Sequence, residues 1–376
     1  MAKPIYLDYA AATPVDRRVL AAMQPYLTDE FYNPSATYLA GRRVRQALAA
    51  ARADVARQLG ARPAEITFTA GATEANNLAI KGVMSQFPDG ELLISAVEHK
   101  SVSQPAKAFA RRLIPVTPKG VVDLVKLAKL VGNRTVLVSV MYVNNELGSV
   151  QPIREIAQLL AEVRRHRRSA RPLYLHSDAA QAANYLDLSV SRLGVDLLTI
   201  NGGKIYGPKQ TGALYAAAGV RLQPQIDGGG QEYGRRSGTE NAAGAIGLAK
   251  ALQLARAGRA AEAKRLTGLR QQFISDLTAA IPTVIIHGDA RHSAPHIVSA
   301  SFPGQDNERL MMALDEAGVM VAVGSACSAA DSEPSAVLRA IGLSDELARA
   351  TLRFSFGRMT TAAQLSRVVK LLRQLT

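Results

Sequence analysis

Apolar positions recur along the chain in two rhythms. Val44, Leu48, Val55 and Leu59 fall at four- and seven-residue steps, which line one face of a helix, and Gly60 ends the run. Short β-branched or apolar runs at residues 65–69, 92–95, 135–140, 172–176, 196–200 and 212–216 separate such helical stretches. Each suits a strand buried in a mostly parallel sheet, so the first two-thirds of the chain predicts α/β architecture. From about Asn241 the pattern becomes one long helix, with Leu266, Leu269, Phe273 and Leu277 repeating at three- and four-residue steps up to Pro282. That helix reads as a bridge between domains. Beyond it, runs at 284–287, 297–302, 319–323 and 352–356 alternate with helical stretches and predict a smaller α+β unit. There is no internal repeat and no low-complexity linker.

In an open parallel sheet, ligands bind outside the carboxyl ends of the strands, so the residues that follow each apolar run carry the functional information. Thr69 leads to Gly71-Ala72-Thr73-Glu74, Ser95 to His99, the run from Thr135 to Asn144-Asn145-Glu146, His176 to Asp178 and Gln181, and Ile200 to Lys204. An anion cradle, an imidazole, an amide, a carboxylate and an amine thus converge on one rim.

Each member of this set also has a plain structural reading. The Gly71 segment opens a helix whose unpaired N–H groups and dipole favour a phosphate, or it is a glycine turn before a capped helix. Lys204, in Asn201-Gly202-Gly203-Lys204, is either a snorkelling cation or an amine whose pKa falls on desolvation, as a Schiff-base lysine requires. Asp178 is a strand-end turn residue or the partner of a pyridinium nitrogen. A carboxylate on one strand and an amine on the next are what pyridoxal phosphate needs. His99 by itself reads as a loop histidine with one backbone hydrogen bond. A nucleoside triphosphate loop is excluded, because Lys204 is followed by Ile205 and the spaced glycine is missing. Six histidines without Cys or His clustering argue against a zinc site.

Composition narrows the class. With 48% hydrophobic residues, 376 residues exceed one minimal core and fit two domains. No stretch of about 18 apolar residues exists to span a bilayer, and the first residues lack the apolar core of a signal peptide, so the expected location is the cytoplasm. The net charge is +14, with its densest cluster at Arg164, Arg165, Arg167, Arg168 and Arg171 around His166. This cluster ends a surface helix beginning near Ile153, where cations suit the negative helix terminus. Without interleaved aromatics it reads as a solvated face, and no direct nucleic-acid contact is expected. Cys327 is the only cysteine, which excludes an internal disulfide. It follows the 319–323 run into Gly324-Ser-Ala-Cys327-Ser-Ala-Ala, and is either a small hydrophobe or a thiol kept for its chemistry.

Motifs in order along nearly the whole chain resemble the cysteine desulfurases of the class V aminotransferase group, the nitrogenase and iron–sulfur cluster assembly type. They are Tyr6-Leu-Asp-Tyr-Ala, Asn33-Pro-Ser, Gly71-Ala-Thr-Glu, Glu98-His99-Lys, Asn144-Asn-Glu-Leu-Gly, Asp178-Ala-Ala-Gln181, Lys204-Ile-Tyr-Gly-Pro-Lys, Arg236-Ser-Gly-Thr239, Gly324-Ser-Ala-Cys327 and Leu352-Arg353-Phe-Ser-Phe-Gly. The resemblance implies the fold type I of pyridoxal 5'-phosphate-dependent transferases. Residues 16–258 would form the large cofactor domain and 259–376 a small domain carrying the Cys327 loop, with 1–15 associated with the small domain. It implies that Lys204 holds the cofactor as an imine, Asp178 pairs with its ring nitrogen, Gln181 contacts its hydroxyl, and His99 stacks on it and acts as acid or base. Ala72, Thr73, Asn201 and, from a partner subunit, Thr239 fall to the phosphate side, while Asn144, also counted among the cofactor contacts, and Arg353 hold the substrate carboxylate. The implied reaction takes L-cysteine to L-alanine with a persulfide on Cys327. A homodimer and a sulfur-acceptor protein, an iron–sulfur scaffold or a tRNA-thiolation protein, are the implied partners.

The chain departs from the family pattern in three places. Asn201-Gly202-Gly203 stands where Ser-Gly-His usually precedes the lysine, Tyr38 stands where histidine is common, and the sequence stops at Thr376 without the longer tail of many relatives. Competing readings are a selenocysteine lyase or another fold-type I enzyme in which Cys327 is incidental, and a basic binding protein that has lost catalysis.

Overall fold

The short apolar runs fold into strands and the long-period stretches into helices. A computed structural model describes residues 4–289, 291–324 and 333–376. Twelve strands are found among the described residues: β1 (Ile5–Tyr6), β2 (Ile66–Thr69), β3 (Glu91–Ser95), β4 (Arg111–Ile114), β5 (Thr135–Ser139), β6 (Tyr174–Asp178), β7 (Leu197–Asn201), β8 (Gly212–Ala216), β9 (Ile285–His287), β10 (Ile297–Ser301), β11 (Val319–Met320) and β12 (Thr351–Ser355).

Seven of them form one sheet in the order β2-β8-β7-β6-β5-β3-β4. The pairs from β7 through β4 are parallel, whereas β8 runs antiparallel to both β7 and β2. The physical reason is the connection. Residues 202–211, which include Lys204, are too few for a helical crossover, so the chain returns directly. Two reversals restore the direction of β2, and its carboxyl end joins those of β3, β5, β6 and β7 on one rim. Apolar clusters pack on both faces of this sheet, one around Val138, Leu175 and Ile200 and one around Leu92, Leu137 and Leu214.

Strand β1 lies outside the expected runs, β11 covers only two residues of the 319–323 run, and two further differences have a clear physical reason. Strand β4 is absent from the predicted set because Arg111, Arg112 and Leu113 are exposed at the sheet edge, where charge replaces the apolar signal. Strand β6 extends two residues past His176, since Asp178 pairs with Thr199 of β7.

The helix Ala242–Ala280 joins the two halves. At about 1.5 Å per residue it is on the order of 58 Å long. Its Leu248, Ala251 and Leu252 sit in the large sheet's core, while Leu266, Phe273 and Leu277 sit in a second core with Phe302, Phe354 and Phe356. That second core backs the antiparallel sheet β12-β10-β9. Ile5 and Leu7 belong to it as well, through the parallel pairing of β1 with β11. No helix among the described residues is long and apolar enough to cross a membrane. The arginine cluster is held locally: Arg164 pairs with Asp196, Arg165 with Glu162, and Arg167 donates to the Thr135 and Arg171 carbonyls.

Candidate active site

The rim of the large sheet opens onto a cavity of about 260 Å³ between the two halves. It is lined by Ala72, Thr73, His99, Asn145, Asp178, Gln181, Asn201, Lys204 and Arg353, with Ala10 and Ala11 of the first residues. Sequence positions spread over nearly the whole chain meet here because the parallel strands deliver their carboxyl ends to one side and Arg353 of β12 arrives from the other.

Lys204 lies in a short turn that Asn201 caps, its Oδ1 accepting the Gly203 N–H at 3.0 Å. The lysine Nζ donates to the Ala10 and Ala11 carbonyls. Behind it Tyr206 holds a positive φ of 61°, an uncommon conformation for an aromatic residue, fixed by a Thr13 hydroxyl on its N–H and by Arg358 stacked 3.9 Å from its ring. The lysine loop is therefore built on strained backbone braced by the first residues and by the last part of the chain.

Asp178 is buried at the end of β6, accepting from the Ala180 N–H at 2.9 Å and from Asn76 Nδ2 at 2.7 Å. Gln181 donates to the Ala10 carbonyl, and its Oε1 meets His296 Nε2 at 3.2 Å. The Tyr185 ring stacks on His296, whose pKa burial depresses to about 3. His99 caps the helix Lys100–Ser103, with Nδ1 accepting the Ser101 N–H. Burial lowers its pKa below the ordinary histidine value; Lys204 and Lys100 push the same way and Asp178 opposes them. Next to it, Glu98 is pushed well above the carboxylate range by burial and by Asp178.

Gly71, at φ +128°, begins the helix Ala72–Met84 and leaves its first N–H groups toward the cavity wall formed by Ala72 and Thr73. The approach of β8 is close there, since a Cβ on Gly212 would stand 2.6 Å from the Gly71 carbonyl carbon. Arg353 is 3% exposed. It donates to the Asn145 carbonyl and pairs with Asp8 at 2.6 Å, and its Nε has no partner among the described residues.

Two predicted site residues are not in this cavity, and one lies outside the described residues. Asn144 is completely buried beneath it: its Nδ2 donates to the Val97 carbonyl and Met141 Sδ, and its Oδ1 accepts from the Glu146 and Leu147 N–H groups. That uses its hydrogen-bonding capacity to brace the loop, and Asn145 is the one that lines the cavity. Thr239 lines a separate cavity of about 240 Å³ with Arg236 and Gln210. Cys327 lies outside the described residues. Asn145, Asn76, Ser101 and Asp8 carry no role in the sequence expectations, although Asn145 stands in the rim set and Asp8 in the first motif. Asn76 had a signal, being an asparagine inside a helix where that residue is disfavoured.

The donor set fits a pyridoxal phosphate: an anion-binding helix start, a buried carboxylate for a ring nitrogen, an amine, and a cationic Arg353 with an unsatisfied Nε for a carboxylate. The sequence matches the Aminotransferase class-V family over residues 5–368. A protein named cysteine desulfurase IscS from Dictyoglomus turgidum is 40% identical over 382 residues, covering 100% of this chain and 95% of its own. Among solved structures, one described as a NifS-like protein superposes with a TM-score of 0.91 at 31% identity and 99% coverage of both chains. Another, described as SspA in complex with cysteine, has a TM-score of 0.80 at 34% identity, covering 94% of this chain and 98% of its own. Cavity, fold and sequence agree, and the chain belongs to the class-V aminotransferase family, in its cysteine desulfurase branch.

Proposed function

We propose that the protein is a pyridoxal 5'-phosphate-dependent cysteine desulfurase that takes L-cysteine to L-alanine and carries the sulfur on Cys327 as a persulfide for an acceptor protein of iron–sulfur cluster assembly or tRNA thiolation. The observation that carries this reading is the meeting of Lys204, Asp178, His99, Gln181 and Arg353 in one cavity beside a helix start. Its relatives support the substrate: one is named cysteine desulfurase and one is a complex with cysteine.

The cofactor, when bound, stores the electrons released at the substrate α-carbon. Lys204 would hold it, Asp178 would keep its ring nitrogen protonated, Gln181 would meet its hydroxyl, and Ala72, Thr73 and Asn201 would bind its phosphate. Arg353 orients the substrate carboxylate through a guanidinium already fixed by Asp8 and the Asn145 carbonyl, while Asn144 braces the loop bearing Asn145. Cys327 thiolate then attacks the substrate sulfur; the carbon–sulfur bond breaks, the sulfur stays on Cys327, and a proton returned to the carbon gives alanine.

We also assign residues 16–258 to a cofactor domain and 259–376, with 1–15, to a smaller one; the change of core between Ala255 and Leu266 supports that division. A homodimer that brings Thr239 of a second copy to the phosphate is part of the same reading. The exposed Phe31, Tyr38 and Leu39, with Phe31 stacked on Tyr32, suit a surface covered in such an assembly. The test is incubation with L-cysteine, following alanine and sulfide, with mass spectrometry of Cys327. Sulfur on Cys327 in wild type and no alanine from Cys327→Ser are expected; undiminished turnover in that variant refutes the assignment.

A further inference from the structure

Along the cavity wall a chain of side chains connects the buried carboxylate to the imidazole. Asn76, fully buried in the helix Ala72–Met84, stands with its amide nitrogen 2.7 Å from Asp178 Oδ2 and 2.8 Å from Ser101 Oγ. Ser101 Oγ in turn stands 2.8 Å from His99 Nδ1. Donor and acceptor counting fixes every hydrogen in this chain. An ionised carboxylate only accepts, so the Asn76 group facing Asp178 is the NH₂. Its second hydrogen goes to Ser101 Oγ, which therefore accepts there. The serine hydroxyl hydrogen is left for His99 Nδ1, a nitrogen that already receives the Ser101 N–H at 3.1 Å. Two donors on Nδ1 leave the proton of the neutral ring on Nε2.

We propose that Asn76 and Ser101 are positioning residues that tie Asp178 to His99 and hold the imidazole neutral, with its proton on Nε2. His99 then meets the cavity as an N–H donor, and taking up a proton is confined to Nδ1, where the Ser101 hydroxyl must turn away and the Ser101 N–H must give way first. Asn76 Oδ1 has no hydrogen-bond partner among the described residues although it is buried, so the amide is spent on its two donor contacts. The assignment of His99 to the cofactor rests on the desulfurase reading; the proton arrangement does not.

The experiment is nuclear magnetic resonance of protein labelled with ¹⁵N-histidine, with and without added pyridoxal phosphate, His99 being assigned by its loss in His99→Gln. The two ring-nitrogen shifts report which nitrogen bears the proton. Wild type is expected to show the Nε2–H form. The charged groups acting on His99 are Asp178, Lys204 and Lys100, all retained in the variants. Asn76→Ala frees the serine oxygen to accept from a protonated Nδ1. It should raise the His99 titration midpoint by about half to one pH unit, a three- to tenfold change matching one lost hydrogen bond. Ser101→Ala, a smaller change, should let the Nδ1–H form appear beside the Nε2–H form, and Ser101→Thr, which keeps the hydroxyl, should restore the wild-type pattern. An Nδ1–H ring in wild type overturns the proposal, as does a His99 unchanged in tautomer and midpoint in both Asn76→Ala and Ser101→Ala. A protein inactive towards L-cysteine but with the Nε2–H ring and its Asn76 dependence would support the relay while refuting the desulfurase reading.

Discussion

Gly203 stands where the family resemblance implies a histidine, and the structure says what placing one there would do. Its φ is not in the left-handed region, and an added Cβ would meet Asn201 Oδ1 and Lys209 Cγ at 3.6 Å, ordinary contact distances. The neighbouring Gly202 is different, because a Cβ there would lie 2.2 Å from Thr211 Oγ1 and 2.9 Å from the Pro208 carbonyl. Gly203→Ala should thus be nearly neutral, whereas Gly202→Ala should destabilise the lysine loop. Gly203→His adds an imidazole donor beside Asn201, whose Oδ1 is already committed to the Gly203 N–H. A charge-assisted hydrogen bond to phosphate contributes about 1.5–3 kcal/mol. At about 1.4 kcal/mol per factor of ten, the cofactor should leave roughly 10- to 100-fold more slowly. Dissociation of pyridoxal phosphate, followed by visible absorption during dialysis of wild type, Gly203→Ala and Gly203→His, measures this directly. Equal dissociation from all three refutes the missing-donor argument, and a fall in melting temperature for both variants refutes the steric one.

The remaining expectations are independent of one another. Lys204→Ala should abolish the visible absorption that wild type acquires with pyridoxal phosphate, and a wild type that stays colourless would contradict the cofactor assignment. Light scattering should give the mass of a homodimer; a strictly monomeric, fully active protein would remove Thr239 from the phosphate site. Arg52→Met should destabilise the fold by about 3–5 kcal/mol in chemical denaturation. It strands Glu232, which the arginine grips through two nitrogens at 2.5 and 2.7 Å in the interior. Burial lowers the pKa of His176 to about 3 and of His287 to about 4, against roughly 6.5 unfolded. The unfolded chain therefore binds more protons in that window, and the stability present above about pH 6.5 is lost as pH falls towards the folded values, at up to about 1.4 kcal/mol per pH unit for each. Melting temperatures equal at about pH 7 and about pH 5 would contradict this.

The local pattern of the sequence was enough for most of the elements and their order along the chain. Short apolar runs such as 212–216 are too brief for an ordinary helix and suit burial in a sheet, and the leucines of the long helix repeat at its own period, so both are written in the residues themselves. The rim residues were legible for the same reason: topology forces whatever follows a parallel strand to one side, and Asp178, His99 and Lys204 do line one cavity. Only the tertiary structure decided what depends on contacts between distant segments. Strand β4 takes its place from hydrogen bonds to β3, with no apolar pattern of its own. Of two adjacent asparagines, Asn144 is consumed by the loop and Asn145 faces the cavity, a choice set by backbone direction that composition does not carry. Asp8 meets Arg353 across almost the entire chain, and Asn76 reaches both Asp178 and Ser101 only because their three elements converge. A residue's type states which hydrogen bonds it is able to make, and the fold decides which of them it makes.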